Sequence, residues 1–204
     1  MPKLFTLAVF FLACLAPVAH AETVTLTEEK LPSGALYHID GNFDVAASQA
    51  QVWEVLTDYS DLKGVVSTMQ ASCVISRDGN SALVEQVAVG RFLFFSKAVR
   101  LLLKVDEQPQ NGLIFAQAAD KPFKTYNGSW ALEDRGNTVT VAYRLNVSSG
   151  DMAPPFLERK LFRDNALSLL KELKAEIARR AALPALTNKL NTLTPVIKAT
   201  AQLR

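Results

Sequence analysis

PPFLERKLFRDNALSLLKELKAEI, residues 154–177, is the stretch whose reading decides the fold. Phe156, Leu157, Leu161, Phe162, Ala166, Leu167, Leu170, Leu173 and Ile177 recur at three- and four-residue spacing. Glu158, Arg159, Lys171, Glu172 and Lys174 take much of the remainder. That is the pattern of a long amphipathic helix with one wide apolar face. Gly150 to Pro155 forms the loop that opens it, and proline is tolerated in a first helical turn. A helix with such a face needs an apolar surface to lie on.

The chain before it supplies that surface. Strand-like segments run over 69–76, 82–90, 92–107, 113–119, 125–133 and 138–147. They are joined by short turn-formers such as Arg77-Asp78-Gly79-Asn80 and Asp134-Arg135-Gly136-Asn137. Consecutive hairpins of this kind make an antiparallel meander. Ala35, Tyr37, Ile39, Gly41, Phe43 and Val45 alternate as a further strand, for about seven in all. Ser48-Gln-Ala-Gln51 has capping-box spacing, where serine oxygen and glutamine side chain satisfy free backbone N–H groups reciprocally. Val52, Trp53, Val55 and Leu56 then give a short helix, and a second helical turn runs toward Gly64. The expected class is α+β: a curved antiparallel sheet wrapped around the final helix, with two short helices after its first strand.

Residues 1–21 read as an export signal. Lys3 precedes the apolar run from Leu4 to Ala16, and Ala19-His20-Ala21 fits a cleavage site, so the expected mature start is Glu22 in a periplasmic or secreted protein. A membrane anchor or a lipid-modified Cys14 are the rival readings. The predicted layout is a signal at 1–21, a polar extension at 22–34, one domain at 35–182 and a basic amphipathic tail at 183–204. Cys73 is then the remaining cysteine; beside Val74 and Ile75 it reads as a small core residue, and no intrachain disulfide is possible.

The last acid is Glu176, and after it come Arg179, Arg180, Lys189, Lys198 and Arg204. Residues 22–176 are net acidic, which argues against a nucleic-acid-binding face. In the tail, Leu183, Leu186, Leu190, Leu193 and Ile197 keep helical spacing, with Pro184 and Pro195 as its expected bounds. Such a segment packs on the domain or lies on an anionic membrane. The 92–107 strand is apolar on both faces, which the tail is expected to cover; the alternative is a docking patch.

Val52-Trp-Glu-Val-Leu-Thr-Asp-Tyr59, Val65 to Met69, Gly128-Ser-Trp-Ala-Leu132 and Pro154-Pro-Phe-Leu157 occur in an order that resembles the START-like helix-grip superfamily, also called SRPBCC. The likeness is to its polyketide-cyclase-like and coenzyme-Q-binding branch, over about 36–180. The resemblance implies a seven-stranded sheet gripping the last helix above a cavity. It also implies activities from lipid, sterol or quinone carriage to polyketide cyclisation and partner binding.

Site residues follow from these patterns. Phe156, Phe162 and Leu170 on the long helix look into the sheet and are candidate cavity lining. Trp53 and Trp130 read as core aromatics that can also be pocket walls, and Tyr59, Phe94 and Phe115 complete the candidate set. No catalytic residue and no cofactor is assigned. Beyond residue 21 the chain has one histidine, His38, too few for a zinc site or a triad. Glu85, Lys97, Arg100 and Arg144 are expected mostly at the surface.

The expected function is an exported carrier or sensor of a lipid-like, isoprenoid or quinone-like molecule. A cyclase or dehydratase using Tyr59, His38 or a buried carboxylate is the alternative, with a ligand-free interaction module as a third.

Overall fold

The computed structural model describes residues 22–32, 34–92, 95–119, 122–148 and 155–201, without the side chains of 91–92, 95–97, 155–156 and 184–201. The expected leader and its expected cleavage site lie outside these residues, as does Phe94; the side chain of Phe156 does too.

Among the described residues, eight strands form one curved, open antiparallel sheet. In chain order they are β1 (Thr23–Leu31), β2 (Gly34–Val45), β3 (Met69–Asp78), β4 (Ser81–Phe92), β5 (Phe95–Gln108), β6 (Gly112–Gln117), β7 (Thr125–Asp134) and β8 (Val139–Ser148). Helices α1 (Gln49–Thr57) and α2 (Leu62–Val65) follow β2, and α3 (Pro155–Ala201) ends the fold. The spatial order is β1-β2-β8-β7-β6-β5-β4-β3. Strands β3 to β8 are therefore a meander of hairpins. The α1–α2 segment carries the chain from β2 to the far edge, and β8 returns to pair with β2.

Each predicted strand is present, and the sheet has one more. Residues 22–34 are not a polar extension: β1 pairs along its whole length with β2, Thr23 opposite Asn42 and Leu31 opposite Gly34. Val24 and Leu26 pack against the core while threonines alternate with them. The Ser48–Gln51 capping box is formed in both directions at the start of α1.

Side-chain parity sorts residues between two faces. Tyr37, Ile39, Phe43 and Val45 on β2, and Val139, Val141, Tyr143, Leu145 and Val147 on β8, are buried on the concave face. Val84, Leu101, Leu103, Val105, Leu113 and Phe115 continue that face across β4 to β6. All join one cluster with Val52, Val55 and Leu56 of α1 and Leu170, Leu173 and Ile177 of α3.

α3 crosses the concave face at Gly41. A Cβ there would sit 2.5 Å from Leu170 Cδ1, so glycine is what allows the helix to lie this close. Beyond Ile177 the helix runs through Pro184 and Pro195 to Ala201. The two prolines therefore do not bound a separate tail helix. Each removes one N–H from the helical ladder and leaves the flanking turns helical.

Two further expectations change. Cys73 is exposed, not buried. It lies on edge strand β3, opposite Glu85 and two positions from the exposed Ile75. The outer face of β5 is mixed: Ala98, Arg100 and Lys104 are exposed and Leu102 is partly so. Among the described residues this face shows no apolar stripe that requires a cover.

Candidate functional site

The interior between the concave face and α3 is asymmetric. α3 packs closely on β2, β1, α1 and α2. Among the described residues its backbone makes no comparable approach to β4, β5 or β6. Yet Val84, Leu101, Leu103, Val105 and Phe115 of those strands are buried, facing the helix from across the interior.

A chain of aromatic rings spans that space. Tyr37 meets Phe162 of α3 at 5.4 Å between centroids, and Phe162 meets Phe123 at 6.4 Å. Phe123 stacks on Tyr126 at 5.1 Å, and Tyr126 meets Phe115 at 6.0 Å. Phe115 stacks on Tyr143 at 6.4 Å, and Tyr143 meets Trp130 at 4.4 Å. Tilted and offset pairs at these distances suit the ring quadrupoles. Gly128 makes the middle of the chain possible: a Cβ there would fall 2.6 Å from Phe115 Cζ and 2.1 Å from the Arg144 carbonyl oxygen.

Each end of the interior carries a polar contact. At one, the Tyr59 hydroxyl donates to Glu107 Oε1 at 2.8 Å, and Arg77 Nη1 donates to both Glu107 oxygens at 3.0 Å. The Arg77 guanidinium also sits 5.9 Å from the Tyr59 ring centroid. Burial, then the Glu107 carboxylate, push the Tyr59 phenol far up. At the other, Tyr37 hydrogen-bonds Glu158 at the start of α3, and burial with that carboxylate pushes its phenol up to about 12.

A third cluster fixes the helix end. Arg180 donates to Asp58 at 3.2 Å, to Asp61 at 2.6 Å and to Glu176 at 2.6 Å. Arg179 also bonds Glu176, and hydrogen bonds from both arginines hold the Glu176 carboxyl down at about 2. Nearby, Glu172 accepts the Ser67 amide at 3.0 Å and both the Ser67 and Ser168 hydroxyls. The α1–α2 turn and the loop before β3 are thus tied to α3.

The predicted site residues are distributed as follows. Phe115, Trp130 and Phe162 belong to the ring chain, Leu170 is fully buried at the Gly41 crossing, and Tyr59 is buried and bonded to Glu107. Trp53 packs on the core from α1. Phe94 and the Phe156 side chain fall outside the described residues. Tyr37, Phe123, Tyr126 and Tyr143 were not singled out by sequence, although strand parity places Tyr143 with Val141 and Leu145, and Tyr126 with Trp130.

His38 is not an interior acid or base. It lies on the convex face, its Nδ1 2.7 Å from Asn146 Oδ1 and its Nε2 3.3 Å from Glu29. Asn146 in turn donates to Asn127 at 2.9 Å. These bonds, to Asn146 first and then Glu29, raise the imidazole above its usual range. Arg100 and Arg144 face outward too, paired with Glu85 and Asp40. A groove of about 270 Å³ on this face, lined by Lys104, Asp106, Ile114, Ala116 and Asn127, is open and smaller than most ligand pockets.

Comparison with known proteins agrees with this geometry. The STAR-related lipid transfer protein of Xanthomonas axonopodis (fragment 25–204) superimposes with a TM-score of 0.60 at 14% identity, over 76% of this chain and 98% of that one. The Zhui aromatase/cyclase of Streptomyces sp. R1128 gives 0.63 at 15% identity, over 71% and 95%. Human STARD10 gives 0.60 at 14% identity, over 86% and 78%. Identities this low establish a shared fold, the helix-grip arrangement of the START-like proteins. No curated protein matches the chain in sequence. The sequence profile for polyketide cyclase / dehydrase and lipid transport matches residues 45–174, from the end of β2 to the middle of α3. By that match over most of the described domain, the chain belongs to the polyketide cyclase / dehydrase and lipid transport family.

Proposed function

We propose that the protein binds an apolar small molecule between α3 and the β4–β6 half of the concave face, and acts as a carrier or sensor. The observation that carries this reading is the one-sided seat of α3. Apolar side chains on β4 to β6 are out of water although, among the described residues, the helix backbone seats closely on β1, β2, α1 and α2 and not on those strands. Binding energy comes from removing apolar ligand surface from water, about 25 cal/mol per Å². The likeness to a lipid transfer protein and to an aromatase/cyclase supports an apolar guest.

Carriage fits the interior better than catalysis. Tyr59 is committed to Glu107, Glu107 to Arg77, and His38 lies on the opposite face. Native mass spectrometry of the protein purified from its own host tests the proposal. Adducts that extract into organic solvent are expected. A bare chain that also takes up nothing from lipid vesicles overturns it.

The leader pattern at 1–21 makes this an exported carrier, and N-terminal sequencing of the secreted form should start at Glu22. The basic stretch at 183–204 is proposed to meet an anionic membrane during ligand exchange. Unchanged vesicle binding after its deletion refutes that.

A further inference from the structure

The chain has four tyrosines, and their hydroxyls fall into two classes. Those of Tyr37 and Tyr59 are bonded to the carboxylates of Glu158 and Glu107. Among the described residues, those of Tyr126 and Tyr143 have no hydrogen-bond partner. Burial alone raises the Tyr126 phenol, to about 12, and burial together with the neighbouring Tyr126 phenol raises Tyr143 well above the usual range. Tyr143 is 4% exposed. Tyr126 is partly buried, and neither hydroxyl oxygen is among the fully enclosed atoms without a partner, which are Ser72 Oγ and Ser148 Oγ; both phenol oxygens therefore reach open space, where a guest can meet them.

The two rings belong to one wall. They stand on adjacent strands β7 and β8, and Phe115 touches both from its seat over Gly128. Phe123 and Trp130 flank them. Two protonated phenols in such a setting are hydrogen-bond donors, and an apolar aromatic surround disfavours a charged guest.

We propose that Tyr126 and Tyr143 form the polar subsite of the interior and donate hydrogen bonds to a carbonyl oxygen of a neutral, ring-bearing ligand. This rests on the apolar-guest reading above and narrows it: a neutral ketone or quinone-like molecule is selected over both a fatty acid anion and a plain hydrocarbon.

Three probes of one ring size separate the possibilities. They are a naphthoquinone methylated at both quinone carbons, the matching dimethylnaphthalene, and naphthoate. Methylation blocks addition of the exposed Cys73 thiol. Wild type is expected to bind the quinone about 10-fold or more tighter than the hydrocarbon, and naphthoate least. Y126F and Y143F each lose about 3- to 10-fold for the quinone while hydrocarbon affinity stays within about twofold. Without ligand, both variants are expected to melt close to wild type, since among the described residues neither hydroxyl bonds another group of the protein. Equal binding of quinone and hydrocarbon, unchanged quinone affinity in both variants, or a lowered melting midpoint overturns the tyrosine subsite and leaves the apolar-guest reading standing. Failure of all three probes to bind overturns both.

Discussion

Alkaline pH is the sharpest perturbation of this interior, because it acts on every tyrosine at once. Unfolded phenols ionise near pH 10. In the folded protein Tyr37 and Tyr126 are raised to about 12, and burial pushes Tyr59 and Tyr143 well above the usual phenol range. Below pH 10 both states hold these protons, and the folded state keeps its full stability. Above it the unfolded chain releases protons that the folded chain retains, so stability falls as pH rises. By pH 11 a phenol held at about 12 favours the unfolded chain by about 1 kcal/mol, and the four raised phenols together by several times that. A domain of this size holds roughly 5–15 kcal/mol in total.

The expected result is a single steep transition at or just above pH 11, in which tyrosinate absorbance and loss of circular dichroism coincide. Y143F should move that midpoint upward, since one of the four contributions is gone. A gradual tyrosinate signal centred near pH 10, with the dichroism still native, would mean that the hydroxyls are solvated. The reasoning about the interior would then fail.

Other predictions test the seat of the helix. Gly41→Ala pushes a methyl against Leu170 and should cost about 1–3 kcal/mol in urea unfolding, and less than that when introduced into L170A, where the clash is gone. Arg180→Met removes the donor shared by Asp58, Asp61 and Glu176; a loss of about 1–3 kcal/mol is expected, and a change below about 0.5 kcal/mol would show the cluster to be idle. Because the Glu176 carboxyl is held at about 2, its stabilisation is present above pH 4.5 and lost as pH falls toward 2; Glu176→Gln should flatten the acid limb of the stability curve, and an unaltered limb counts against the pairing.

Most of the architecture was legible because it is written in local periodicity. The helix face from Phe156 to Ile177, the hairpin turns and the Ser48–Gln51 box each need only a few neighbouring residues to be recognised. What escaped depends on position in the sheet. Thr23-Val-Thr-Leu-Thr-Glu-Glu looks polar, yet Val24 and Leu26 suffice for an edge strand because β2 supplies the hydrogen bonds. Cys73 sits among apolar neighbours, but the edge position of β3 leaves Val74 and Ile75 exposed as well. Edge or centre is a property of the strand order, and no single segment encodes it.

The site was harder to read for a related reason. Sequence reasoning weighed tyrosines and tryptophans as bulk and chose Trp53, Tyr59 and Trp130 for their size. What separates the four tyrosines is the group opposite each hydroxyl. Glu107 reaches Tyr59 from β5, and Glu158 reaches Tyr37 from the first turn of α3. Tyr126 and Tyr143 lie among Phe115, Phe123 and Trp130, where no carboxylate arrives. A core built only for stability needs no hydroxyl at such positions, since the ring alone supplies the packing. The same fold shows that it can pair a buried phenol where pairing serves structure. Two phenols left without partners in one aromatic wall therefore argue for an acceptor that arrives with the guest.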